Sequence, residues 1–85
     1  ETSYLKIYND DYKQMMNKMS KVEPTGSVDK DFLEQMIAHH EGAVKMATNI
    51  LNYTNNEELR EIATHMISGQ QRQLEEMKRL LKTVK

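Results

Sequence analysis

A single proline and three glycines punctuate these 85 residues. Between them, apolar side chains recur every three to four positions, and that combination constrains the fold more than any other feature. Proline cannot continue a helix, and glycine admits positive φ. Pro24 and Gly26 fall together in Glu23-Pro24-Thr25-Gly26-Ser27, the stronger of two breaks. The second is Tyr53-Thr54-Asn55-Asn56, where Thr54 and Glu57 fit a capping box and Asn55 or Asn56 offers another cap. The spacing predicts three helices, over about 3–22, 28–53 and 56–83. No period-2 alternation competes with it. Glu34, Glu41, Lys45, Thr48, Asn49 and Asn52 are expected on the solvent face of the second helix. Short connections make neighbouring helices antiparallel. The expected architecture is all-α, an antiparallel up-down-up bundle of three long helices in one domain, residues 1–85. Wide apolar faces would leave a groove for a helix of a second subunit, so a homodimer is part of the expectation.

Composition narrows the function. A chain this short forms one domain with little stability to spare. Lys and Arg number 12 against 13 Asp and Glu, a formal net charge of -1. That near-neutral balance lacks the basic footprint of a nucleic-acid binder. Charged residues make up 29% of the chain, which suits a soluble protein and not a membrane-inserted segment. Without cysteine there is no disulfide, zinc–thiolate site or thiol nucleophile, although the redox compartment stays open. Seven Met stand against one Phe and no Trp, giving a soft core that is also a store of soft metal ligands. Glu1 in place of an initiator Met raises the expectation of a leader peptide upstream.

The informative residues are polar ones inside the apolar stripes. His39 and His40 flank the centre of the second helix's core face, with Met36 three and four residues before them. Gln70 and Gln73 share a line with Met66 and Met77 on the third helix, and Asp11 lies beside Tyr12 and Met15 on the first. If the helices reverse at the two breaks, Met36 falls level with Gln73 and His40 with Gln70. Met15 then falls level with Gln35 and Met36, and Asp11 with His39. Asp11, Met15, Met36, His39, His40, Gln70, Gln73 and Met77 are thus expected in one layer built by all three helices. Taken singly, a Met is more often core filler than ligand, and a buried His is often satisfied by Gln or Asp. The concentration of both in one layer favours a site. His65, at the margin of its stripe, is expected to be exposed.

The chemistry of that layer is soft-metal binding. Thioether and imidazole suit Cu(I), and Ag(I) competes for the same donors. Met36, His39, His40 and Met77 are the candidate ligands, with Asp11, Gln70 and Gln73 as hydrogen-bonding support. Adjacent histidines diverge by about 100° on a helix, so one binds metal while the other hydrogen-bonds Asp11 or a Gln. Met15 and Met19, at i and i+4, form a second candidate on the first helix. No Glu-x-x-His occurs and carboxylates are scarce, which argues against a di-iron site. No Gly-rich phosphate loop, Ser–His–acid set or pair of facing carboxylates suggests an enzyme. The alternative is a non-catalytic interaction module whose buried His/Gln layer fixes helix register.

Asp31-Phe32-Leu33-Glu34-Gln35-Met36-Ile37-Ala38-His39-His40-Glu41-Gly42-Ala43-Val44-Lys45-Met46-Ala47 resembles the signature of the family known as domain of unknown function 305. That signature has an Asp-x-x-Phe start, a Met-Ile-Pro-His-His core and a Gly-Ala-x-x-Met-Ala continuation. The segment Ile67-Ser68-Gly69-Gln70-Gln71-Arg72-Gln73-Leu74-Glu75-Glu76-Met77 resembles its second motif, Ile-x-x-x-Gln-x-x-Glu-Ile-x-x-Met. The resemblance covers the second and third helices, and the first joins more loosely through Met16 and Met19. It implies a ferritin-like bundle, exported to the periplasm or secreted, with some members binding copper through Met and His. It implies no established enzymatic activity. Its motifs carry over to Met36, His39, His40, Gln70 and Met77. Two positions depart from the pattern: Ala38 replaces a proline and Gln73 replaces a Glu. The second change removes a charge and weakens a hard-metal site, whereas a Cu(I) site needs no carboxylate.

Overall fold

A computed structural model describes residues 2–84, and the side chains of 3–84. Helix α1 spans Thr2–Ser20, α2 spans Val28–Leu51 and α3 spans Glu57–Leu81, with no strand among the described residues. Each helix end lies within two residues of the bound read from the sequence. At the end of α1, the Ser20 hydroxyl donates to the Asn17 carbonyl at 2.8 Å, satisfying one acceptor that the helix leaves open. Gly26 takes φ 86, the conformation that glycine alone adopts without strain. Ser27 then caps α2, accepting from the Lys30 amide at 3.3 Å. Asp31 holds the loop against this first turn. Its Oδ1 accepts from the Thr25 amide at 3.0 Å and from the Thr25 hydroxyl at 2.9 Å.

The second connection is closed from both sides. Asn56 caps α3, its side chain accepting from the Leu59 amide at 3.0 Å. Thr54 supports the cap by accepting from the Asn56 amide at 3.1 Å. One nitrogen of Arg60 donates to the Leu51 carbonyl at 2.7 Å and to the Thr54 carbonyl at 3.0 Å. The end of α2 is thereby tied to the start of α3.

The helices run up, down and up, side by side, with α2 in the middle. Among the described residues α1 packs only on α2, and so does α3. The result is a flat layer, 45 × 23 × 12 Å. Its thickness is about that of one helix. The radius of gyration, 14.7 Å, exceeds the about 12 Å expected of a compact chain this long. The cause lies in α2, which packs on two opposite sides. Ala38, Gly42 and Asn49 meet α1, and Leu33, His40 and Ala47 meet α3.

Small residues set the α1 contact. A Cβ on Gly42 would stand 2.5 Å from the Met15 sulfur and 2.8 Å from the Met15 Cβ. Only glycine admits α1 this closely. Asn49, expected on the solvent face, is instead buried, and its amide donates to the Tyr4 carbonyl at 3.2 Å. The expected face rotates because α1 covers that side of α2.

Candidate functional site

The polar layer expected across three helices divides into two seams, one on each side of α2. In the α2–α3 seam, His40 Nδ1 lies 2.8 Å from the Met36 carbonyl oxygen. A carbonyl only accepts, so Nδ1 carries a proton. In the neutral ring this leaves the Nε2 lone pair as the position open to a metal. Nε2 points at α3, 2.8 Å from the Gln73 side-chain oxygen. An imidazolium would donate to both partners, whereas a neutral ring accepts the amide NH2 once Gln73 is turned over.

The partner of His40 is Gln73, one turn from the Gln70 that simple register arithmetic selects. Side chains on a helix lean toward its N-terminus. On antiparallel helices the two leans converge, so His40 meets a residue whose Cα lies further along α3. The same offset sets Met36 level with Met77 and Leu33 level with Leu80. The His40–Gln73 pair therefore sits about one turn, roughly 5.4 Å, from a pair of half-buried thioethers. Gln70 is half-buried and its Oε1 is buried without a hydrogen-bond partner.

Asp11 and Met15 are in the other seam. They line a crevice with Gln14, Lys18, Ala38 and Gly42, with α2 between them and Gln73. Met15 meets Gly42, six residues beyond the expected level at Met36, or about 9 Å along the helix. The expectation overlooked the connection 21–27, which lets α1 slide along α2. Met15 is buried in that seam, and Met19, one turn on, is half-buried. Asp11 is not level with His39. His39 is exposed, its ring centroid 5.6 Å from that of His40. His65 is also exposed, on the outer edge of α3 beside Arg60, Glu61 and Thr64.

The two faces of the layer differ. One carries Ile7, Asp11, Val44, Lys45, Thr48 and Asn52, together with a Glu41–Lys78 ion pair at 3.5 Å. The other is apolar. There an open groove of about 430 Å³ is lined by Ala43, Met46, Ile50, Ile62 and Met66 of α2 and α3, with Tyr4 of α1 at its edge. A second groove of about 420 Å³, lined by Val28, Phe32, Leu80 and Val84, opens on the same face at the far end. His39 lies between them in the same stripe of α2. Sequence reasoning placed Met46 and Met66 in the core, whereas Met66 is exposed and Met46 half-buried on this face. The available signal was spacing, since Met46 follows His39 by seven residues and Met66 precedes Gln73 by seven.

Among the described residues no three His, Asp or Glu side chains come together to hold a metal. A centre in this chain would have to draw on thioether. The set that the α2–α3 register puts on neighbouring turns is Met36, His40 and Met77, with Gln73 beside the imidazole. Among the described residues no helix is long and apolar enough to cross a membrane.

The family model described as a domain of unknown function, DUF305, matches residues 8–81. A curated, uncharacterized protein of Acanthamoeba polyphaga mimivirus is 38% identical over 53 residues. The match takes in 62% of this chain and 35% of that protein, so the chain matches about a third of its relative's length.

Proposed function

The chain belongs to the DUF305 family, and on that premise we propose that it is a small exported metal-binding protein. Its cargo is Cu(I), with Ag(I) as a competitor, and its role is copper buffering or tolerance without catalysis. The observation that carries the reading is the His40 hydrogen bond to the Met36 carbonyl. It holds the imidazole in the tautomer whose Nε2 faces α3, about one turn from the thioethers of Met36 and Met77. One nitrogen and two sulfurs suit Cu(I), a soft ion content with few ligands. Gln73 supplies no charge and yields its place at Nε2 when a metal competes for the lone pair. Met19, and Met15 once the α1–α2 seam opens, remain a secondary donor set. The location we propose, on the family resemblance, is periplasmic or secreted.

The test is anaerobic Cu(I) titration against a chromogenic chelator, with Met36→Leu, Met77→Leu and His40→Ala beside the wild type. Stoichiometric competition by the wild type, weakened in each variant, is the expected result. Wild-type protein that leaves the chelator fully loaded would refute the reading.

A second reading is favoured by one observation: both ring nitrogens of His40 already have partners. Such a bond across α2 and α3 suits an interaction module whose polar pair specifies register. Leu for Met conserves volume. Under this reading Met36→Leu and Met77→Leu leave every property unchanged, while His40→Ala loosens the α2–α3 seam.

A further inference from the structure

The apolar face is too large for a chain of this size. Among the described residues no side chain is fully buried, while Val28 is 82%, Phe32 58% and Ile62 56% exposed, all on that one face. The accessible surface is 6236 Å². A folded monomer of 10.0 kDa is expected to expose about 5,200 Å². The excess over the whole molecule, about 1,000 Å², leaves room for the about 800 Å² covered on each partner in a standard protein interface.

We propose that a second copy of this chain covers the face, related by a two-fold axis through its centre. A two-fold interface must be complementary to itself. This face meets the requirement, because its two ends are of like kind. The exposed Val28 and Phe32 wall a groove of about 420 Å³ at one end, and Met46 and Met66 wall one of about 430 Å³ at the other. On α2 the residue midway between Phe32 and Met46 is His39. Rotation about an axis at that level carries Phe32 of each copy to the groove of the other. The two α2–α3 layers then form a four-helix core, and His39 of each copy faces its counterpart. The polar side stays in water, with its Asp, Glu and Lys residues. A net charge of -1 per chain sets little repulsion against pairing. The argument is independent of metal, since it uses area, shape and charge alone.

The experiment is sedimentation equilibrium of the chain in the presence of a metal chelator, which separates it from the copper reading. The expected result is twice the mass of 10.0 kDa at micromolar concentrations. Phe32→Asp and Ile62→Asp put charge onto the covered face at sites that water reaches in the single chain. Each should raise the dimer dissociation constant about 100-fold or more while circular dichroism stays helical. Ile7→Asp, on the opposite face, should leave association unchanged. A chain that is monomeric at high micromolar concentration overturns the proposal. So does a dimer that the two face variants do not weaken, or one that Ile7→Asp weakens equally. If a longer form with its flanking sequence is monomeric and protects this face from exchange, its own segment is the occupant and the second copy is excluded.

Discussion

Replacing a mid-helix glycine with alanine usually stabilises a helix by about 0.5–1 kcal/mol, because alanine loses less conformational freedom on folding. Gly42 and Gly69 are both interior helix positions, so sequence alone assigns them the same gain. The structure assigns opposite signs. At Gly69 an added Cβ meets nothing within 4 Å. Gly69→Ala should therefore keep the full gain. At Gly42 the added Cβ would stand 2.5 Å from the Met15 sulfur, 2.6 Å from its Cγ and 2.8 Å from its Cβ. The sulfur can swing aside, but Met15 Cβ moves only with the α1 backbone. Overpacking of this kind costs about 1–3 kcal/mol. Less the helix gain, Gly42→Ala is destabilising by about 1 kcal/mol. In a domain this small that lowers Tm by about 4–8 °C, while Gly69→Ala raises it by about 2–8 °C. Thermal unfolding followed by circular dichroism at matched concentration reads both. A cycle with Met15→Gly isolates the cause, because it also removes the Cβ, and in that background Gly42→Ala should turn neutral or stabilising. A Tm rise for Gly42→Ala equal to that for Gly69→Ala would show that α1 is not seated in the Gly42 notch.

Two more outcomes follow from the caps and the surface. Asn56→Ala removes the acceptor for the Leu59 amide and should cost about 1 kcal/mol. Hydrogen exchange should show the loss first at the start of α3. Glu41→Gln breaks the exposed 3.5 Å pair with Lys78, and urea unfolding should move by no more than about 0.5 kcal/mol.

Much of the fold was legible because it is local. Pro24, Gly26 and the Asn55-Asn56 break end helices through their own backbone preferences, and the structure places its loops there. Of the alternative caps at the second break, Asn56 is the one used, with Thr54 bonded behind it. The α2–α3 seam was legible in part. His40 and both Gln residues were expected to point inward; His40 and Gln70 are half-buried, Gln73 is exposed, and the pairing was displaced by one turn. The lean of side chains toward each helix N-terminus accounts for that displacement. The placement of Asp11 and Met15 beside the histidines failed because a periodic stripe records only that a side is buried. It does not say which neighbour buries it.

The sequence by itself determined three helices, their ends, and a stock of thioether and imidazole on their apolar stripes. Each of these follows from interactions within a few residues, where spacing and backbone preference decide. Only the tertiary structure decided that α2 lies between α1 and α3, with Met15 in one seam and Met36, His40 and Met77 in the other. The same arrangement left His39, Met46 and Met66 on an open apolar face. Such choices depend on the sizes of residues far apart in the chain, such as the notch that Gly42 opens for Met15. They also depend on how far a connection lets one helix slide along the next.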